Sequence, residues 1–303
     1  MANIGIRSPY FIYKEEATAV SAKIEISIDS TLEYTITKNT GASVRLDISE
    51  LVKDFVTPTY NGTLTTNEAG TVDVDIDVKF YDEVEAGGTQ VGTTQSESHV
   101  AYYGYGYFSE GHNFDFDDRI LLSETTIWMP EDTTGTFYRI DSGVLSVVNF
   151  AADAEAAGGI TIKRQPCDRY TPIKAAFINK FGVPQQIYFF AKNIESMQST
   201  GETYMSNKIN ANGSYSTNLH QVVDFDKNAK ISYSLSSGYT GEAYNSYIQE
   251  MLLSEQVWLV IDSVVKPVRV TSSNVQYKTT LNDKLVSYTI EFEEANDLIT
   301  SIR

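Results

Sequence analysis

Along much of the chain, apolar and polar residues alternate one by one, the period of a strand with one buried and one wet face. The clearest run covers residues 72–80, where Val72, Val74, Ile76, Val78 and Phe80 fall on one side and Asp73, Asp75, Asp77 and Lys79 on the other. Ile24, Ile26 and Ile28 alternate in the same way, and Leu32, Tyr34 and Ile36 resume after Asp29-Ser30, so a hairpin is predicted there. Val44, Leu46 and Ile48 continue the pattern. A short helix is predicted over 50–55 with Ser49 as its cap, because Leu51, Val52 and Phe55 share a face. Residues 57–70 are polar and turn-rich and read as an exposed loop. Ala86-Gly87-Gly88-Thr89 supplies a tight reversal, and further strands are predicted at 99–108, 136–140 and 144–150, the last two joined by Asp141-Ser142-Gly143.

Residues 151–159 carry no large apolar side chain and end in two glycines, so a domain boundary is placed near residue 160. Beyond it, strands at 173–178 and 186–190 flank an Asn179-Lys180-Phe181-Gly182-Val183-Pro184 loop, and another is expected at 230–234. Residues 239–254 switch to helical spacing: Tyr244, Tyr247, Ile248, Met251 and Leu252 share one face, with Thr240 as N-cap. Strands at 256–261, 266–271, 275–280 and 285–292 should form the sheet beneath this helix. The expected fold is therefore mainly β. It comprises two antiparallel β-sandwich or barrel-like domains, 1–160 and 161–303, the second with a single packed helix at about 240–254.

Composition narrows the function classes. The chain is 42% hydrophobic with 20 Tyr and 14 Phe, which excludes global disorder. Its net charge of −17 repels phosphate backbones, so nucleic acid is not an expected partner, whereas a basic protein neighbour would be attracted. Cys167 is the only cysteine, so neither an intrachain disulfide nor a cysteine-built metal centre is available. Residues 1–10 hold one basic side chain, Arg7, and no apolar core of signal-peptide length, and no run reaches the length of a membrane span. The expectation is a chain made and kept in a cytoplasm, with the sequons at Asn61 and Asn212 coincidental.

Little in the sequence points to catalysis. His99, His112 and His220 lie in no nucleophile or zinc motif. Asp115-Phe116-Asp117-Asp118 invites a calcium reading, but Ile120 and Thr126 stand where an EF-hand needs glycine and glutamate, and a solvated acidic loop is preferred. Asp73, Asp75 and Asp77 likewise read as a solvated sheet face. With 40 acidic residues, a paired-carboxylate glycosidase is open on sequence alone, although no local pattern favours it. Gly104-x-Gly106 lacks the third glycine and the helix of a dinucleotide site. The most distinctive segment is 101–108: on a strand, Tyr103, Tyr105 and Tyr107 would share one face, available for core packing, for sugar stacking or for contact with a neighbouring subunit. No catalytic, cofactor-binding or metal-ligating residue is assigned, and no cofactor is expected.

Ile6-Arg7-Ser8-Pro9-Tyr10, Phe177-Ile178-Asn179-Lys180-Phe181-Gly182 and a closing block carry a resemblance that spans the chain in scattered pieces. The closing block comprises Ser237-Gly238-Tyr239, Leu252-Leu253-Ser254-Glu255, Val257-Trp258-Leu259, Pro267-Val268, Tyr277-Lys278-Thr279, Asn282-Asp283-Lys284-Leu285 and Tyr288-Thr289-Ile290-Glu291-Phe292. The chain resembles tail or neck structural proteins of bacteriophages that infect Bacteroidota, including crAss-like phages. The resemblance implies a non-enzymatic virion subunit of a ring or tube, with copies of itself and other tail or neck proteins as partners and the virion as its location. Residues 61–70 and 195–216 are then expected to be assembly loops ordered by a partner. The alternative is a carbohydrate-binding or host-receptor-binding module of the tail tip, with the three tyrosines as its platform.

Overall fold

A computed structural model describes residues 1–39, 41–167, 169–272, 274 and 287–300. The first part of the chain carries β1 (Ala2–Gly5), β2 (Phe11–Glu15), β3 (Ser21–Ile28), β4 (Thr31–Lys38), β5 (Ser43–Asp47), a one-turn α1 (Ser49–Val52), β6 (Val72–Tyr81), β7 (Gln90–Tyr102) and β8 (Asp115–Phe116). A middle group follows: β9 (Thr126–Pro130), β10 (Gly135–Asp141), β11 (Val144–Phe150), β12 (Ala156–Ala157) and β13 (Ile160–Gln165). The last part holds β14 (Ile173–Ile178), β15 (Pro184–Phe189), β16 (Asn193–Met205), β17 (Val222–Ser236), α2 (Tyr244–Leu253), β18 (Val257–Ile261), β19 (Val264–Val270) and β20 (Thr289–Glu294). The fold is mainly β, of the β-sandwich class, with several antiparallel sheets, and α2 is the one helix of more than a single turn among the described residues.

The alternation at 72–80 builds the centre of a six-stranded sheet ordered β4-β3-β6-β7-β1-β8. Val74, Ile76, Val78 and Phe80 are fully buried with Ile24, Ile26 and Ile28, and the β2–β5 pair and α1 cover them with Ile12, Val44, Ile48 and Val52. Asp29 and Ser30 both take positive φ, the conformation of a two-residue hairpin turn whose twist suits its strands. The expected cap of α1 is corrected. Ile48 occupies the N-cap position, and the carboxylate of Asp47 accepts the Ser49 N–H at 3.0 Å and the Ser49 hydroxyl at 2.7 Å.

Among the described residues two pairings are parallel, β1 with β7 and β13 with β9, and neither follows from local alternation. The six-stranded sheet ends at Phe116 and the seven-stranded sheet, ordered β15-β14-β18-β19-β20-β17-β16, begins at Ile173. Residue 160 stands at the start of β13, whose partner β9 precedes it in sequence. One face of the seven-stranded sheet buries α2: Tyr244, Tyr247, Ile248 and Met251 pack with Phe177, Phe189, Leu235, Leu259, Ile290 and Phe292. The helix begins later than expected, at Tyr244 after an Ala243 N-cap, and Thr240 is buried ahead of it. The strand expected at 275–280 lies outside the described residues, as do positions 285–286 of the last one.

The opposite face of that sheet meets the first part of the chain. Ala176, Phe181 and Val183 share a core with Tyr60, Leu64, Ala69, Tyr102, Phe116, Leu121 and Tyr138. This corrects the exposed-loop reading of 57–70 in part: Pro58, Tyr60, Leu64, Glu68 and Ala69 are buried, while Thr57, Thr59, Asn61, Thr63 and 65–67 stay exposed. The segment is fastened by Glu68, 6% exposed, whose carboxylate accepts the Thr65 N–H at 2.7 Å, the Asn61 amide at 2.8 Å and the Thr65 hydroxyl, while Tyr138 Oη donates to the Thr65 carbonyl. A polar-looking stretch thus keeps one carboxylate inside because neighbouring polar groups satisfy it.

Candidate functional site

Three segments distant in sequence, around Arg7, Lys180 and Leu253, converge where β7 runs out. The Ile6 and Arg7 amides donate to the Tyr102 and Gly104 carbonyls at 3.1 and 2.8 Å, and the Tyr105 amide donates to the Lys180 carbonyl at 2.9 Å. The backbones are nearly touching. A Cβ on Gly104 would stand 2.7 Å from the Lys180 carbonyl oxygen, and one on Gly182, whose φ is +82°, would stand 2.5 Å from the amide of Gly104. Asn179, fully buried, fixes the 179–183 turn. Its Nδ2 donates to the Leu121 carbonyl and to Gln185 Oε1, and its Oδ1 accepts the Phe181 and Val183 amides.

The tyrosines sit on this junction, and their arrangement differs from expectation. β7 ends at Tyr102, so 103–107 is no strand and the three rings do not line one strand face. The pairing stops because the segment leaves its sheet to bond with Arg7 and Lys180. Arg7 places its guanidinium 5.6 and 5.0 Å from the ring centres of Tyr103 and Tyr105, and also bonds the Leu253 carbonyl at the end of α2 and the Glu255 carboxylate. Both contacts suit a cation at a helix C-terminus. Tyr103 donates to Glu255 at 2.6 Å; burial and that carboxylate push its pKa up to about 12. Tyr105 is buried and meets Tyr107 edge-on at 5.8 Å, and Lys180 lies 4.7 Å from the Tyr107 ring centre while pairing with Glu110. Cations and carboxylates of the same chain therefore engage this aromatic group.

Glu250 is the one acid that α2 turns inward, 3% exposed, with its carboxylate accepting the Lys180 amide at 3.1 Å. Burial holds its pKa above the ordinary glutamate value, although the Lys180 N–H donates to the carboxylate. Several of the other sequence candidates have structural roles. His99 is buried edge-on to Tyr10 and beside Glu97. His112 and His220 are exposed. Asp118 accepts the Ser142 and Gly143 amides at 2.8 and 2.7 Å and so fixes the β10–β11 turn, while Asp75 and Asp77 accept Ser98 and Ser96 hydroxyls across the sheet. Among the described residues, no group of three histidine, cysteine or acidic side chains is placed to hold a metal.

A second region was missed by the sequence reading. Residues 195–216, expected as a loop, include most of β16, which pairs with β17 from Asn193↔Leu235 to Met205↔Val222 through a bulge between Thr200 and Glu202. Only the inner end of β17, Ser232–Ser236, is flanked by β20, and Leu298 and Ile299 bond Ala229 and Asn228. Beyond that, 202–205 and 222–227 form a two-stranded ribbon with no third strand among the described residues. Tyr204 and Phe225 stack edge-on at 5.8 Å yet remain exposed, as do Met197, Met205, Ile209, Tyr215, Leu219 and Val222. The alternation of Ile231, Tyr233 and Leu235 reveals only the root of this arm. Its outer part is rich in Ser, Thr and Asn, which masks the strand period.

No helix among the described residues is long and apolar enough to cross a membrane. Comparison with known proteins finds no matching family model, curated protein or solved structure.

Proposed function

We propose that the chain is a non-enzymatic structural subunit of a bacteriophage tail or neck, joining copies of itself and other virion proteins in a ring or tube. The observation that carries this reading is the β16–β17 arm. A two-stranded ribbon is at best marginally stable in water, and this one leaves Met197, Tyr204, Met205, Val222 and Phe225 uncovered. An apolar surface of that kind marks a contact with another protein. The virion setting rests on the resemblance of the Ile6–Tyr10, Phe177–Gly182 and closing segments to such tail proteins. The sugar-platform alternative draws no support from the tyrosines, whose faces are engaged by Arg7 and Lys180.

The test is native mass spectrometry with negative-stain imaging of the purified chain, alone and mixed with virion extract. Closed oligomers, or uptake into tails, support the proposal. A monomer that ignores virion components while binding glycans on an array contradicts it.

A further inference from the structure

We infer that two copies of this chain join edge to edge along β16, forming one continuous antiparallel sheet about a two-fold axis at Ser199. This deepens the assembly reading by naming the contact. Among the described residues β16 is the terminal strand of its sheet, 13 residues long, and its residues from Ile194 to Met205 are all exposed. An edge strand presents a row of backbone donors and acceptors to any extended chain. Proteins that must stay apart blunt such edges with lysine, proline or inward charges. β16 contains no lysine, arginine or proline, and its two charges are Glu195 and Glu202.

The occupant follows from the strand's own sequence. In the full-length antiparallel register, residue 199 faces residue 199 of the second copy. Ile194 then stands opposite Tyr204, Met197 opposite Gly201, and Asn193 opposite Met205. Glu195 meets Thr203 and Glu202 meets Ser196, so neither acid faces another. A slip of one residue sets Glu195 against Glu202 twice over, which like-charge repulsion disfavours. β16 itself runs regularly, since the extra residue of the bulge lies on β17, between Phe225 and Asn228. Paired positions therefore keep their faces along the whole edge. Between Glu202 and Asp224 the chain has no acidic residue, so the arm tips bring little of the charge of −17 into the contact.

The experiment is cross-linking of the full chain in a Cys167→Ser background. Ser199→Cys puts two thiols face to face, about 5 Å apart between Cβ atoms, within reach of oxidation or a short bismaleimide. Thr203→Cys is on the same face of the same strand, but its two copies lie eight residues apart along the ladder, about 27 Å. The expected result is a covalent dimer for Ser199→Cys, at least about tenfold more than for Thr203→Cys. Ser199→Lys, at an exposed position that leaves the fold intact, should weaken the dimer about tenfold or more by opposing two ammonium groups. Equal cross-linking at both positions, or none at Ser199→Cys in a sample that native mass spectrometry shows to be oligomeric, overturns the β16 contact while leaving the assembly reading in place. A chain that is monomeric throughout and ignores virion extract overturns both.

Discussion

Replacing Gly182 by alanine tests whether the contact between the β7 end and the 179–183 turn governs the stability of the fold. Two costs add. At φ +82° an L-residue is strained by about 1–2 kcal/mol. The new Cβ would also lie 2.5 Å from Gly104 N, Tyr103 N and Tyr103 C, all backbone atoms with no side-chain freedom to retreat. Reaching ordinary contact requires the two segments to separate by about an ångström, an overpacking cost of about 1–3 kcal/mol, and that movement strains the Tyr105 to Lys180 hydrogen bond. The sum is about 2–5 kcal/mol. Gly143→Ala is the matched control: its φ is +74°, in the β10–β11 turn, but a Cβ there meets nothing within 4 Å. That variant should lose only the backbone term, about 1–2 kcal/mol. Urea unfolding followed by tryptophan fluorescence and far-ultraviolet circular dichroism gives both values. Equal losses for the two variants would refute the reasoning, because the steric term would then be absent.

Two further predictions concern buried acids. The folded-state pKa of Glu250 is raised, so the group favours folding at pH values below its unfolded pKa, and that contribution is lost as pH rises through the folded value. Glu250→Gln should therefore match the parent near pH 4 and become progressively more stable relative to it toward pH 8, as read by thermal unfolding; a pH-independent difference would count against the burial argument. Glu68→Ala removes the acceptor for the Thr65 amide and hydroxyl and for Asn61, and should cost about 1–3 kcal/mol in urea unfolding. A change within about 0.5 kcal/mol, as at an ordinary surface position, would return 57–70 to the surface.

How far the sequence reveals this molecule depends on whether a residue's role is local. Val72–Phe80 is legible because its apolar face and its Asp face alternate without a break, and the Asp29-Ser30 turn because a two-residue reversal joins two such runs. The tyrosine segment misleads for a physical reason. Tyr103, Tyr105 and Tyr107 alternate with glycines as in a strand, yet Gly104 serves a backbone crossing with the sequence-distant Lys180 and Phe181, and Gly106 makes room for the Phe114 side chain. Tyr60, Leu64 and Ala69 show neither a two-residue nor a helical period, so nothing local marks them as core; they are buried by fitting against Tyr138 and Phe181. The two parallel pairings are equally non-local. The arm hides because solvent-exposed strands need no apolar alternation, and in the outer half of β16 the hydroxyls of Ser199, Thr200 and Thr203 take both faces.

The central claim, assembly through the arm, is tested most directly by shortening it. Thr200 and Asn228 are paired across the hairpin, so an Asn-Gly turn replacing 201–227 joins them with two-residue geometry and leaves the sheet root intact. Native mass spectrometry and imaging of this variant beside the full chain, each with virion extract, decide the matter. The full chain should form oligomers or enter tails, and the shortened chain, folded with an unchanged melting transition of its body, should stay monomeric. Assembly of the shortened chain to the same extent as the parent would contradict it.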